Sequence, residues 1–279
     1  MQLQGMNSIN TSFDMPDLST LLTIIMPVRI DSDERMTNLK AVLHHVCGLG
    51  CRVILLEADE HSAFKDSDEM DAETVKCIRH EFVEDSSPVF YRTRYINRLL
   101  YEADTEIVAV WDADILIAYH QVYEAVENIL MGCTIAYPYN GEYVMLSEKE
   151  SDATRQNFDI ENLNSLKLQS VFGRPLCGGV FLVHRQRYLQ CGGENEHFTG
   201  WGPEDVERLR RVSILGHRVK WTEDGQAYHL NHSRGKNSDF YSEEDAIRLR
   251  KELVKVCSME IYELHDYITG KSWRQQKKK

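Results

Sequence analysis

The sequence predicts an α/β fold in which a mostly parallel central sheet is flanked by helices and followed by a C-terminal helical extension. Continuous apolar runs of strand length begin near residues 21, 52 and 106, as expected for strands that helices cover on both faces. Segments with apolar residues at helical spacing lie between these runs. The joins are short, and this alternation is typical of a parallel sheet.

The predicted elements of the first half alternate regularly. In chain order they are strand 21–28 stopped by Pro27, a helix capped by Asp31 or Ser32 and ended by Gly48–Gly50, strand 52–56, helices over 66–81 and 90–103, strand 106–111, helix 118–131 and strand 134–137. The helix boundaries follow from capping residues and glycines. Acidic residues follow the second strand and the strand at 106–111.

The second half is less regular. Residues 140–175 are polar with weak periodicity and are predicted to form a loop-rich insertion, of the kind that supplies binding segments or lids. A strand over 180–183 follows a Gly-Gly pair. Residues 242–269 carry one long helical stripe that begins at a capping box of Ser242 and Asp245. We expect this helix to pack on its own domain, and the alternative is a homodimer seam.

The composition is that of a folded protein that does not bind nucleic acid. The net charge is −12, whereas nucleic-acid binding requires clustered Lys and Arg. The basic end, Lys277–Lys279, is the local exception, and we interpret it as a solvated tail, with weak contact to a membrane surface as the alternative. The first 20 residues lack the layout of a signal peptide, and no apolar run is long enough to span a membrane.

Cysteine usage predicts the redox environment. The seven cysteines are odd in number and scattered, and they form no CxxC motif. Disulfide frameworks and zinc sites normally show paired or closely spaced cysteines. We therefore expect reduced thiols in a cytoplasmic protein.

Two aspartates, Asp112 and Asp114, end the strand at 106–111. The carboxyl ends of strands in open α/β sheets form the edge at which ligands bind. Two carboxylates there are suited to hold Mn²⁺ or Mg²⁺ against a diphosphate, because both ions prefer oxygen ligands. The structural alternative is a strand-end turn in which an aspartate caps the next helix.

A second motif covers residues 198–207, with the sequence FTGWGPEDVE. Glycines on both sides of Trp201 permit tight turns and let the indole project into a cleft, where it can stack on a sugar. Pro203 and the acids after it also suit the first turn of a helix, so a well-capped helix start is the structural alternative. A carboxylate at this place can act as a general base.

A third motif covers residues 227–237, with the sequence AYHLNHSRGKN. His229 and His232 are candidate metal ligands, although a histidine near a strand is more often a hydrogen-bonded structural residue. Arg234 and Lys236 supply positive charge that is suited to a departing diphosphate.

Together these motifs resemble the GT-A-type glycosyltransferases. The order of Pro27, WDAD, a Gly-Gly strand, GWGPED and AYH with a following GKN is similar to family 2 enzymes with a galactosyltransferase-type C-terminal segment, as in chondroitin and hyaluronan polymerase domains. The resemblance covers residues 21–240 and implies a GT-A fold. It further implies a metal-dependent enzyme that moves a sugar from a UDP-sugar to a carbohydrate acceptor, with Mn²⁺ or Mg²⁺ as cofactor, in surface polysaccharide or glycoconjugate synthesis.

The resemblance also implies roles for single residues. Asp205 matches the catalytic base and Glu204 the acceptor-binding acid beside it. The metal ligands are matched by Asp112, Asp114 and His229, with His232 as the alternative. The donor and nucleotide contacts are matched by Pro27, Val28, Arg29, Glu57 or Asp59, Arg94, Asp112 and Lys236. The acceptor side is matched by Trp201, Gly200, Gly202 and Gly179.

The pair Glu204-Asp205 stands where related retaining enzymes carry Glu-Asn, so the resemblance implies direct displacement with inversion. One alternative is a catalytically silent protein that binds a sugar nucleotide or acts as a scaffold, although such a protein would be expected to lack the base or the metal ligands. Another is a sugar nucleotidyltransferase, which would need a Gly-rich loop that residues 27–31 do not provide.

The resemblance also divides the chain into parts. These are a polar leader (1–20), a glycosyltransferase domain (21–240) with a nucleotide-binding half (21–139) and an acceptor and catalytic half (140–240), and a C-terminal helix with a basic tail (241–279).

Overall fold

The computed structural model describes residues 16–65, 70–157, 160, 163, 175–233, 235 and 239–270. Most of the predicted leader, Arg234, Lys236 and the basic C-terminal tail lie outside the described residues.

The secondary structure of the described residues alternates between helices and strands over most of the chain. The helices are α1 (Leu18–Leu21), α2 (Asp33–Cys47), α3 (Ala72–Cys77), α4 (Arg92–Glu102), α5 (Tyr119–Leu130), α6 (Glu148–Asn157), α7 (Arg185–Gln190), α8 (Glu204–Ile214), α9 (Glu243–Cys257) and α10 (Ile261–Thr269). The strands are β1 (Leu22–Val28), β2 (Arg52–Asp59), β3 (Ile78–Glu84), β4 (Ile107–Trp111), β5 (Ile115–Leu116), β6 (Ile135–Tyr137), β7 (Tyr143–Met145), β8 (Val180–His184), β9 (Val219–Trp221) and β10 (Ala227–His229).

The described strands form two sheets. The central sheet has the order β3-β2-β1-β4-β8-β6-β9, and a smaller sheet has the order β5-β10-β7. In the central sheet β8 runs antiparallel to β4 and β6, whereas the other pairs are parallel. The predicted α/β class with a mostly parallel central sheet is therefore confirmed.

The interior strands are apolar because helices cover both faces of the central sheet. Every residue of β1 and β4 is buried. The prediction that Pro27 stops the first strand is wrong, since β1 continues through Pro27, which is paired with Leu56 of β2. Pairing with β4 ends at Ile25, so the missing N–H of Pro27 removes no bond to β4.

The prediction of a helix over residues 66–81 is wrong for its last part. Helix α3 ends at Cys77, and β3 follows it at the edge of the sheet beside β2. Only one face of an edge strand is covered, so β3 alternates between half-buried and exposed residues along most of its length. Charged residues fill two of its three exposed positions, Arg79 and Glu84, and the strand therefore lacks the apolar run that marks β1 and β4.

The insertion predicted to be loop-rich over residues 140–175 contains regular structure in its described part. Strand β7 joins the small sheet, and α6 follows it. The side chains that α6 buries include the small polar residues Ser151 and Thr154. A helix that buries such residues carries little hydropathy signal, which explains why the periodicity is weak.

The C-terminal stripe forms two helices instead of one. Ser242 caps α9 by accepting a hydrogen bond from the backbone N–H of Asp245 at 3.1 Å, as predicted. Helix α9 ends at Cys257, residues 258–260 are not helical, and α10 begins at Ile261. Helix α9 packs on α8, and Val256 and Leu264 form a small apolar cluster with Ile214. The described part of the chain contains no helix that is long and apolar enough to cross a membrane.

Cys47 and Cys77 are joined by a disulfide across a Cα–Cα distance of 6.0 Å. The prediction that all seven cysteines are reduced thiols is therefore wrong for this pair. The two residues lie 30 positions apart, at the C-terminal ends of α2 and α3. Only the packing of the two helices brings them together, so their spacing in the sequence carries no signal.

We expect the double variant Cys47→Ser/Cys77→Ser to be less stable than the oxidised protein by about 3–4 kcal/mol, because the disulfide closes a loop of this length in the unfolded chain. Urea unfolding monitored by circular dichroism measures the difference. Under dithiothreitol, the variant and the wild type should unfold at nearly the same urea concentration. A variant that matched the oxidised wild type would contradict the prediction.

Candidate active site

Three potential metal ligands meet beyond the carboxyl end of β4. One ligand atom each from Asp114, His229 and His232 lies within 4.8 Å of the others. Nε2 of His232 is 3.0 Å from Oδ2 of Asp114, and Nε2 of His229 is 3.6 Å from the same oxygen. One carboxylate and two imidazoles form a nitrogen and oxygen donor set that suits a divalent transition ion.

The small sheet brings these ligands together. Strand β10 runs antiparallel to β5, with His229 opposite Ile115. The backbone N–H of Leu230 donates to the carbonyl of Asp114 at 2.8 Å. The turn that carries Asp114 is thus joined directly to the strand that carries His229, although the two are far apart in the sequence.

Charge and burial tune the three groups differently. Burial raises the pKa of Asp114, but the nearby histidines outweigh it and hold this pKa below its ordinary value. Burial lowers the pKa of His229, whereas the hydrogen bond to Asp114 raises the pKa of His232. The imidazole of His229 is therefore neutral at neutral pH, and neutral imidazole is the form that binds metal ions.

Asp112 lies outside this group, because its carboxylate pairs with a cation. Nη2 of Arg92, the first residue of α4, is 2.5 Å from Oδ1 of Asp112. Burial lowers the pKa of Arg92, but Asp112, Asp205 and Glu204 raise it well above its ordinary value. Arg92 thus lies among the acids of both motifs.

Arg94, the residue that the resemblance matched to the basic donor contact, is placed differently. Its guanidinium lies over the ring of Tyr91, 4.2 Å from the centroid. Residues two apart on a helix point to different faces, and only the face that carries Arg92 is turned to Asp112. Both arginines are present in the sequence, but their positions in it do not show which one faces the sheet edge.

Glu204 and Asp205 begin α8, on a second wall of the site. Glu204 is buried, and within the described residues its Oε2 has no hydrogen-bond partner. Burial and then the charge of Asp205 raise the pKa of Glu204 to about 8. The side chain of Asp205 is 29% exposed, and its Oδ1 accepts a hydrogen bond from Nη1 of Arg208 at 2.7 Å.

The glycine pair before β8 lies against both halves of the site. A Cβ atom at Gly178 would be 2.6 Å from Oδ2 of Asp205, and one at Gly179 would be 3.1 Å from the hydroxyl oxygen of Tyr143. The carbonyl of Gly179 accepts the N–H of Asp112 at 2.9 Å. The absence of side chains at this pair therefore lets Asp205 and Tyr143 pack closely against the start of β8.

Tyr143 was not among the predicted site residues. It lies in β7, its ring centroid is 5.8 Å from that of His229, and its pKa is raised well above the ordinary value by burial and then by Asp114. The insertion that contains it has no recognisable motif, so only the pairing of β7 with β10 shows that this tyrosine belongs to the site.

Trp201 presents an aromatic surface beside these acids. It is 47% exposed, and the ring of Phe240 lies perpendicular to it with the centroids 4.9 Å apart. Gly200 has φ of +68° and donates its N–H to the carbonyl of Phe90 at 3.1 Å. A Cβ at Gly202 would be 3.0 Å from a methyl group of Leu249 in α9. The loop is therefore fixed on both sides of the indole.

The residues matched to nucleotide contacts are mostly engaged within the protein. Pro27 and Val28 are buried in β1. The guanidinium of Arg29 donates to the carbonyls of Ala58 at 3.0 Å and Ser87 at 2.9 Å. These bonds tie the start of the next loop to the end of β2, so the side chain of Arg29 has a structural role.

Of the two acids matched to the nucleotide base, Glu57 is fully buried. Its oxygens accept hydrogen bonds from the N–H of Ala63 and the hydroxyl of Ser62, both at 2.6 Å, and one lies 3.1 Å from Nε2 of His80. Asp59 ends β2 and is partly exposed. The geometry therefore favours Asp59 over Glu57.

Comparison with known proteins gives matches of two kinds. Residues 163–233 match the family model for the N-terminal domain of galactosyltransferase. A stretch of 39 residues is 44% identical to β-1,4-galactosyltransferase 7 of Mus musculus and, equally, of Homo sapiens. This stretch is 14% of the chain and spans only 12% of each relative.

Comparison with solved structures shows a likeness in fold over most of the chain. GalNAc-T7 with UDP, GalNAc and Mn²⁺ gives a TM-score of 0.54 at 14% identity and covers 89% of this chain and 50% of its own. A mutant of Drosophila β-1,4-galactosyltransferase 7 with manganese, UDP-Gal and xylobiose gives a TM-score of 0.46 at 16% identity, over 76% of this chain and 71% of its own. The resemblance to chondroitin and hyaluronan polymerases stays a prediction. The chain has the GT-A glycosyltransferase fold and carries a galactosyltransferase-like segment over residues 163–233.

Proposed function

We propose that this protein is a metal-dependent, inverting glycosyltransferase that moves a sugar from a UDP-sugar to a hydroxyl of a carbohydrate acceptor. The observation that carries the proposal is the convergence of Asp114, His229 and His232 within 4.8 Å. On the other wall of the site, the side chain of Asp205 is partly exposed and packs against Gly178. Such a site has a metal-binding side and a base side, as sugar transfer requires.

The donor set fits the metal. Two imidazoles beside one carboxylate suit Mn²⁺ better than Mg²⁺, which prefers oxygen ligands alone. We therefore propose Mn²⁺, held by Asp114, His229 and His232. Asp112 lies outside this ligand group and forms an ion pair with Arg92. When bound, the ion would supply Lewis-acid stabilisation of the charge on the departing diphosphate.

The family match supports a UDP-sugar, with galactose as the first candidate, because a stretch of 39 residues is 44% identical to a β-1,4-galactosyltransferase. The fold neighbour GalNAc-T7 was solved with UDP and Mn²⁺, which is consistent with this choice. Arg92 adds a fixed positive charge at the same edge, where an anionic donor would be attracted.

The acids on α8 carry out the transfer. The carboxylate of Asp205 takes the proton of the acceptor hydroxyl while the hydroxyl oxygen bonds to the anomeric carbon. The bond from that carbon to the diphosphate oxygen breaks, and its electron pair leaves with UDP. A single displacement of this kind inverts the anomeric centre. Trp201 offers the acceptor ring a stacking surface, and neutral Glu204 offers it a hydrogen bond.

The biological setting remains a proposal. Surface polysaccharide or glycoconjugate synthesis fits a carbohydrate acceptor, and a homodimer through the C-terminal helices is compatible with exposed Val254 and Tyr262. The cytoplasmic location predicted from the sequence is less well supported, because the Cys47–Cys77 disulfide is typical of oxidising compartments.

We expect His232→Ala and Asp114→Asn each to weaken Mn²⁺ binding by about 10-fold or more, because each removes one ligand of a three-residue set. Isothermal titration with MnCl₂ measures the affinity. His44→Ala is the matched control, since His44 is an exposed histidine that pairs with Asp71, the N-cap residue of α3. Unchanged Mn²⁺ affinity in both site variants would remove the metal centre from the proposal.

We expect Asp205→Asn to lower the turnover of UDP-sugar by ~10²–10⁴-fold, which is the usual contribution of a general base. The assay is UDP release from UDP-galactose, UDP-glucose or UDP-GalNAc with Mn²⁺, with xylobiose or water as acceptor. Mn²⁺ and UDP binding should persist in the variant. Near-normal turnover would exclude Asp205 as the base, and a wild type that binds donor but releases no UDP would favour the silent-binding alternative.

Glu204 should make the stability of the protein depend on pH. Burial and Asp205 raise its folded-state pKa, although Arg92 and Arg208 oppose the shift. Below pH 4.5 the group is protonated in both states and contributes nothing. Between pH 4.5 and 8 the unfolded chain ionises first, so this residue lowers the free energy of unfolding as the pH rises.

We therefore expect Glu204→Gln, which keeps the neutral form, to be more stable than the wild type at pH 8 by on the order of 4 kcal/mol and nearly equal to the wild type in stability near pH 4.5. Urea unfolding of the metal-free protein across this range measures the difference. If the free energies of unfolding of the variant and the wild type differed by the same amount at every pH, the raised pKa of Glu204 would not be the cause of the difference.

A further inference from the structure

We propose that Arg208 is the positioning residue of this site: it fixes the carboxylate of Asp205 so that Oδ2, and not Oδ1, takes the proton of the acceptor. The inference rests on the proposed function, in which Asp205 is the base. It goes beyond it by assigning the reacting oxygen and by naming a buried ion pair that sets its direction.

The guanidinium of Arg208 is fully buried and bonds to two acids at once. Nη1 donates to Oδ1 of Asp205 at 2.7 Å. Nε and Nη2 donate to the two oxygens of Glu194 at 2.7 and 3.1 Å. Because the guanidinium is planar, its two-fold contact with Glu194 determines where Nη1 points.

Glu194 is itself held in place. The hydroxyl of Tyr188 donates to its Oε1 at 2.5 Å. The side chain of Asn97 bonds to the backbone of Glu194 on both sides, accepting its N–H at 2.7 Å and donating to its carbonyl at 2.9 Å. The guanidinium of Arg208 also lies 3.8 Å from the ring centroid of Phe181 in β8. Arg208 therefore has a single orientation.

The consequence appears at the other oxygen of Asp205. Oδ1 is occupied by Arg208, whereas Oδ2 faces Gly178, where a Cβ would approach to 2.6 Å. A side chain at this position would displace the carboxylate, so glycine is required for Oδ2 to lie there. Because Oδ1 is engaged by Arg208, Oδ2 is the oxygen that remains for the acceptor, and the bond to Arg208 holds the carboxylate against rotation.

Charge balance supports a positioning role for the bond between Arg208 and Asp205. Glu194 and Arg208 already neutralise one another, so the pair does not need Asp205 for its own compensation. One turn further along α8, Arg211 forms a second buried ion pair with Glu207, with Nε 2.8 Å from Oε1, and Arg211 also donates to the carbonyl of Cys191. The two pairs are equally buried, but only Arg208 bonds to the base.

The ion pair of Arg211 with Glu207 therefore serves as the control for the pair of Arg208 with Glu194. Glu194→Gln/Arg208→Gln and Glu207→Gln/Arg211→Gln each remove one buried ion pair without leaving a lone charge. With UDP-galactose, Mn²⁺ and xylobiose, we expect the first variant to lose about 10–100-fold in kcat with the KM for donor nearly unchanged, since a misplaced catalytic group costs up to about 10²-fold. We expect the second variant to keep kcat within about two-fold.

Two single variants keep the test decisive if a double variant fails to fold. Arg208→Lys retains the positive charge but loses the planar set of guanidinium donors, and its kcat should lie between those of the wild type and Glu194→Gln/Arg208→Gln. Gly178→Ala places a methyl group against Oδ2 at a glycine whose φ lies outside the left-handed region, and should lower kcat without changing Mn²⁺ affinity.

An equal loss of kcat in both double variants, or full activity in Gly178→Ala and Arg208→Lys, would overturn the positioning role. A wild type that releases no UDP from any donor would overturn the proposed function and this inference with it. An active wild type whose kcat survives in Glu194→Gln/Arg208→Gln overturns the inference alone, so the two failures are distinguishable.

Discussion

The acidic centre of this protein depends on the charge of Arg92. Carboxylates from two motifs far apart in the chain lie near it, and Asp112, Asp205 and Glu204 together raise its pKa despite its burial. Without a cation these acids would repel one another, and the charge of Asp205 already adds to the effect of burial in raising the pKa of Glu204. A guanidinium keeps its charge at every working pH. Arg92 therefore lets the end of β4 and the start of α8 share one cleft.

The sequence predicted those parts of the fold in which burial leaves an apolar record. Strands β1 and β4 are buried throughout, and α2 begins at its predicted Ser32 cap. Strand β3 and helix α6 were missed because one is an edge strand and the other buries small polar side chains. Binary hydropathy cannot distinguish such elements from loops.

The candidate site was predicted at the level of motifs but not of individual contacts. All three motifs contribute to one cleft, yet the ligand group contains His232 in place of Asp112. That choice depends on the register of β5 with β10 and on the direction of side chains after β4, and neither is encoded in spacing. Arg208 and Glu194 were missed for a related reason, since charged residues are ordinarily expected at the surface.

Helix α9 lies outside both sheets, yet it braces the loop that carries Trp201. Arg248 donates to the carbonyl of His197 at 2.7 Å and to the hydroxyl of Thr199 at 2.8 Å, while Leu249 packs against Gly202. The three potential metal ligands Asp114, His229 and His232 lie on other parts of the structure. Substitutions in α9 can therefore move the ring of Trp201 and leave Asp114, His229 and His232 unaltered. In the proposed transferase, recognition of the acceptor could thus change independently of metal binding.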